Sequence, residues 1–216
     1  MDFRRARLLV GLMAVVLVPC AALAQKIERL EFRTEPGDKV VFKWTLGNKS
    51  QNVEEVITAS TDTEVRAAVT VGGKAFDGAI TKNPFTMTSY MCLANGQPCK
   101  FTPGVVLLDL PLEKGKKWNT SFTVTGDTFT AEVTQERKVE GFEKIRIAAG
   151  EFDTVKVSFV GRIVSRPRDN NNQYTGKEEG TEWWATSTQR PTAVKVTYRN
   201  SFGEKFGLEV ISASLK

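Results

Sequence analysis

Apolar and polar residues alternate with a period of two along most of this chain, and Gly, Asp, Asn and Pro interrupt the alternation at short intervals. The clearest stretch runs from Glu143 to Ile163. Ile145 and Ile147 alternate with Lys144 and Arg146, and after Ala148, Ala149 and Gly150 the pattern resumes with Val155, Val157, Phe159, Gly161 and Ile163 on one face. Asp153, Lys156, Ser158 and Arg162 mark a wetter face that Val160 and Val164 interrupt, which predicts a β-hairpin covered in part on both sides. Lys39 to Leu46 places Val40, Phe42, Trp44 and Leu46 opposite Lys43 and Thr45. Further strands are predicted over 53–59, 63–71, 85–91, 105–110, 118–125, 127–139, 181–186, 193–199 and 206–214, with Phe122, Val124, Phe129, Ala131 and Val133 pointing inward. From Arg166 to Gly180 the alternation stops, and a long polar loop is expected, a candidate gate. About twelve strands and no amphipathic helix make this an all-β protein, most simply an antiparallel meander.

The beginning of the chain reads differently. Arg4, Arg5 and Arg7 precede an apolar stretch, Leu8 to Val18, and Ala22-Leu23-Ala24 is a small-x-small cleavage site, so residues 1–24 read as an export signal cleaved after Ala24. The apolar run falls short of the roughly 20 residues a spanning helix needs. Pro19 ahead of Cys20 argues against lipid modification there. Residues 25–216 fit a single β-rich domain exported to the periplasm or beyond, with no transmembrane segment. The formal net charge of +5 is lowered once the arginines of the signal are gone, and the basic residues are scattered through alternating strands. Nucleic-acid binding asks for a concentrated stripe, so no nucleic-acid partner is expected. Two similar stretches, LEFRTEPGDKVVFKW at 30–44 and LDLPLEKGKKW at 108–118, suggest two related halves, 25–104 and 105–216.

PLEKGKKW at 111–118, FEKIRIAAGEFDTVKVSF at 142–159, GTEWW at 180–184 and a V-x-V-x-Y strand at 194–198 together resemble a widespread family of exported bacterial proteins of unknown function. The resemblance covers roughly 108–215. It implies a strongly curved antiparallel sheet, a half-barrel or open barrel similar to the periplasmic lipoprotein carriers, around an apolar cavity. It brings no functional residues with it.

No histidine is present, which removes Ser-His-Asp and Cys-His catalysis and the commonest zinc sites. Cys92 and Cys99, with six residues between them in an exported chain, predict a structural disulfide, worth about 2 to 3 kcal/mol, rather than a redox or metal pair. Asp169 to Asn172 fails as a calcium loop, because Tyr174 stands where that loop needs Gly and Gly180 where it needs Glu. Glu178, Glu179 and Glu182 lie close together, as glycosidase carboxylates must, but read as solvated charge. Trp183 and Trp184, adjacent on a strand, face opposite sides; with Thr181 and Ala185 beside it Trp183 is expected inward, leaving Trp184 free to meet a ligand. Phe42, Trp44, Trp118, Phe122, Phe159, Trp184 and Tyr198 are the candidate ligand-binding residues, with Phe129 and Phe206 on the same face. The expected function is non-enzymatic and without cofactor or metal: uptake of a lipid, acyl chain or lipidated peptide by the concave sheet. The alternative is a cell-envelope structural or assembly factor that holds a protein partner at a sheet edge or on the exposed Trp.

Overall fold

A computed structural model describes residues 25–30, 33–82, 84–92, 95–170, 172–186 and 192–214. The export signal at 1–24 lies outside these residues, as do residues 31–32 of the first similar stretch and Asn171 of the polar loop. Two short strands, β1 (Lys26–Ile27) and β8 (Leu112–Glu113), pair with each other. The rest are β2 (Lys39–Leu46), β3 (Lys49–Ser60), β4 (Glu64–Val71), β5 (Lys74–Lys82), β6 (Phe85–Met91), β7 (Pro98–Leu108), β9 (Lys117–Thr125), β10 (Phe129–Ile147), β11 (Gly150–Pro167), β12 (Tyr174–Ala185), β13 (Ala193–Asn200) and β14 (Lys205–Ser214). These twelve form an antiparallel meander, as the alternation predicts, and its curvature runs to closure: β14 pairs with β2, and β9 with both β10 and β7.

The local pattern explains the meander. On β9, Trp118, Thr120 and Phe122 are buried while Lys117, Asn119 and Ser121 are exposed, the period of two that puts one face in and one out. Gly72 and Gly73, at φ +56° and +79°, make the two-residue turn between β4 and β5 that requires positive φ at both positions. The final seam is the weakest. β7 and β9 share only the pairs Lys100↔Thr125, Phe101↔Val124 and Thr102↔Thr123. Beyond them side chains bridge the strands: Trp118 Nε1 donates to the Val106 carbonyl (3.1 Å), and the Val106 amide donates to Thr120 Oγ1 (3.3 Å).

The long polar loop expected over 166–180 is corrected. β11 continues to Pro167 and β12 begins at Tyr174, so most of the stretch expected as loop belongs to the two strands. Gly176 and Gly180 look like breakers but occupy inward positions where a side chain has no room. A Cβ on Gly180 would lie 2.3 Å from the Phe159 ring, and one on Gly161, across the same strand pair, 2.5 Å from the Thr134 carbonyl.

The connections alternate between two ends. One end carries the turns after β2, β4, β6, β9, β11 and β13; the other carries the 109–116 connection and the approach to β2. Ile27 and Leu30 pack on the cluster of Leu112, Trp118 and Val139 at that second end. β2 stands six strands round the ring from β9, and Thr34, bonded to Ser60 Oγ (2.9 Å), lies buried beside β3. The outer face is charged, with cross-strand pairs such as Arg166–Glu132 (2.7 Å) and Lys117–Glu136 (2.9 Å), where a membrane-spanning barrel presents an apolar band. No helix among the described residues is long and apolar enough to cross a membrane.

Candidate functional site: a cavity along the barrel axis

A ring of twelve strands encloses more space than its inward side chains fill, and small residues such as Val65, Ala67 and Gly78 on β4 and β5 are among those that line the space left over. The result is a cavity of about 440 Å³, within the range of small-molecule sites. Its walls are mostly apolar, Ile80, Phe85, Met87, Val105 and Leu107 among them. Asn95, Phe202 and Glu204 also line it, and all three sit in turns of the first end. Phe202 is 43% exposed, so the cavity meets solvent there. Cys92 and Cys99 are joined in the expected disulfide, Cα to Cα 5.3 Å, which ties the β6–β7 loop at that mouth.

Across one wall runs a chain of polar groups. Arg137 on β10, 1% exposed, pairs with Glu182 on β12 and donates through Nη1 to Gln135 Oε1 (3.0 Å). Gln135 Nε2 donates to Glu178 Oε1 (2.7 Å), and the Tyr198 hydroxyl donates to Glu178 Oε2 (3.0 Å). Trp184 Nε1 donates to Glu182 Oε2 (2.8 Å), and the Arg137 guanidinium lies 5.1 Å from the Phe159 ring centroid. Burial pushes the Glu178 carboxyl above the usual glutamate range, although the bonds from Gln135 and Tyr198 and the Arg137 charge pull the other way. Burial, with the Glu178 charge beside it, pushes the Tyr198 phenol up as well. On the facing wall Tyr90 donates to Glu55 Oε2 (3.3 Å). The arrangement can hold polar groups in place deep in an apolar tube. The described residues contain no group of three or more Cys, Asp or Glu able to hold a metal ion.

Five of the seven candidate residues, Phe42, Phe122, Phe159, Trp184 and Tyr198, line the cavity, as do Phe129 and Phe206. Trp44 and Trp118 do not. Trp118 is used across the β7–β9 seam, and the Trp44 ring packs beside Gly96 in the disulfide loop. The expected facing of the tryptophan pair is reversed. Trp184 is buried at 5%, whereas Trp183 lies on the outer face between Lys156 and Lys195 and donates to Glu143 Oε1 (2.6 Å). The reason is Glu182: taken as solvent-facing, it is buried with Arg137, and Glu178 joins it on the same face. Only Glu179 of the three glutamates is outside, paired with Arg199. Polarity hides Gln135 and Arg137 in the same way, although they continue the Phe129, Ala131, Val133 alternation without a break.

No protein-family profile and no curated protein sequence matches the chain. Solved structures share its shape. A "putative lipoprotein" from Parabacteroides distasonis ATCC 8503 superposes with a TM-score of 0.55 at 14% identity, covering 86% of this chain and 99% of that one. A "putative exported protein with YmcC-like fold" from Bacteroides fragilis NCTC 9343 gives a TM-score of 0.58, again at 14% identity and covering 86% and 99% of the two chains. At such identity the likeness establishes the fold alone: the chain has the curved all-β architecture of these bacterial proteins.

Proposed function

We propose that this is an exported, non-enzymatic binding protein that takes a lipid, an acyl chain or a lipidated peptide into the axis of its barrel. The observation that carries this reading is the cavity of about 440 Å³, apolar over most of its wall and exposed to solvent beside Phe202. Binding would be burial without chemistry, each methylene removed from water contributing about 0.8 kcal/mol. The export signal read at 1–24 and the descriptions of the two proteins of like fold support an envelope location. A partner held at a sheet edge draws less support, because among the described residues the twelve long strands pair round the ring, with the β7–β9 seam the most loosely joined. Native mass spectrometry of the mature protein purified from its own periplasm, before and after organic extraction, tests the proposal. A co-purified mass of lipid size, lost on extraction and regained on mixing, is the expected result. A bare protein that takes up no lipid would overturn it.

A further inference from the structure

The charge of the cavity wall runs against the charge of the chain. Overall the protein is basic, at +5, yet the charged residues that line the cavity are Glu55, Glu178, Glu182 and Glu204, with Arg137 as the one cation among the described lining residues. Arg137 is committed to Glu182 and Gln135, so its charge is already matched. Glu178 takes its hydrogen bonds from two neutral groups, Gln135 and Tyr198, and Glu204 accepts from Asn200 Nδ2 (2.5 Å).

Aromatic faces stand at the same level. Tyr198 stacks on Phe206 with centroids 4.3 Å apart, Phe159 lies 6.3 Å from Tyr198, and Phe202 stands at the mouth. Carboxylates and ring faces both attract a cation, and Arg137 over Phe159 already shows this wall holding one. An anionic head would meet like charge in a poorly screened space. Glu178, Tyr198 and Glu204 lie on the mouth side of β12, β13 and the β13–β14 turn, while Phe85 and Leu107 lie toward the far end of β6 and β7.

We infer that the ligand of this cavity is a cationic amphiphile, an ammonium group on an alkyl or acyl chain, with its head seated by Glu178, Tyr198 and Glu204 and its tail directed toward Phe85, Val105 and Leu107. The assignment rests on the carrier reading above and adds the head group to it. Its test compares decyltrimethylammonium, decyl maltoside and decanoate, one tail with three heads, titrated below their micellar concentrations into the delipidated mature protein, with circular dichroism confirming that the barrel persists. The cationic amphiphile should bind about tenfold or more tightly than the neutral one, and decanoate most weakly. Glu178→Gln and Glu204→Gln should each weaken decyltrimethylammonium several-fold, by about the value of one partly screened charge contact, and so narrow its advantage over decyl maltoside. If Glu178→Gln does not fold, Glu204→Gln, on a partly exposed turn, carries the same comparison. Equal affinity for the three heads, or preference for decanoate, overturns the cationic head and leaves the carrier reading standing. Failure of all three to bind removes both.

Discussion

Two walls of one cavity are built on different rules. Along β4 to β7 the lining is mostly apolar, with Val65, Ala67, Ile80, Phe85, Met87, Val105 and Leu107 meeting their neighbours through van der Waals contact and Tyr90, bonded to Glu55 on β3, as a polar exception. Along β10, β12 and β13 apolar residues are interleaved with Gln135, Arg137, Glu178, Glu182 and Tyr198, each tied to a named partner. The first wall asks for apolar volume, and swaps such as Leu for Met are expected to cost less than about 1.5 kcal/mol there. The second asks for identity. Each of its groups is desolvated, so removing one leaves another buried without its bond or counter-charge.

The sharpest way to break this contrast is Arg137→Leu. The guanidinium is 1% exposed, and its loss strands Glu182 beside Trp184 with no cation. The expected destabilisation is about 3 to 5 kcal/mol, read as a shift in the urea midpoint. Adding Glu182→Gln should recover a large part of it, because the orphaned charge rather than the lost volume is the main cost. If the double variant is no more stable than the single one, the second wall follows the packing rule of the first.

Next in size is Gly180→Ala. A methyl there would drive into the Phe159 ring and the Thr197 carbonyl, 2.3 and 2.5 Å from where its Cβ would sit, and a cost of about 1 to 3 kcal/mol is expected. Phe159→Leu in the same chain should reduce that penalty by clearing the ring. The rescue would be absent if the carbonyl, and not the ring, sets the limit.

These same positions mark where the sequence is legible and where it is not. Period two along Lys39–Leu46 and Lys117–Thr125 is enough to place strands and their inner faces, because burial on one side is the only demand there. The disulfide is legible from two cysteines in a chain whose first residues read as an export signal. What hides the rest is that polarity stands for exposure in any single-strand reading. Glu178 and Glu182 look solvated until Arg137 and Gln135 are brought opposite them from more than forty residues away. With those glutamates misplaced, Trp184 is turned outward and the strand Tyr174–Ala185 is broken into a loop. The size of the cavity is not legible at all, since it is the difference between a ring's capacity and the volume of residues drawn from a dozen strands.

Glu178 offers a subtler division between the walls. In the unfolded chain it titrates as an ordinary glutamate, and in the barrel burial holds its pKa higher. Its stabilising contribution is therefore complete below the unfolded pKa and is lost as the pH rises through the raised folded value. Glu178→Gln removes that loss. Measured by urea unfolding at a series of pH values, the stability of the variant relative to the parent should climb across this window and level off above it. A difference that is flat with pH, or that falls, would mean the charge is better compensated in the barrel than its burial implies.

The smallest expected effect separates two neighbours in the sequence. Trp184 donates to a buried carboxylate and packs edge-on against Phe85 at 5.2 Å, as a member of the second wall. Trp183, one residue away, faces outward between two lysines and bonds Glu143 on the surface. Trp183→Phe keeps most of the ring and loses a solvent-screened bond, so a cost of at most about 1 kcal/mol is expected, whereas Trp184→Phe removes a bond to a buried charge worth about 1.5 to 3 kcal/mol. Acrylamide quenching gives an independent reading. Trp44, Trp118 and Trp184 are all less than a tenth exposed, so the readily quenched fraction of the fluorescence should vanish in Trp183→Phe and persist in Trp184→Phe. If quenching disappears instead with Trp184, the ring lies open to solvent, and the wall that holds Arg137 and Glu182 is not closed over in solution.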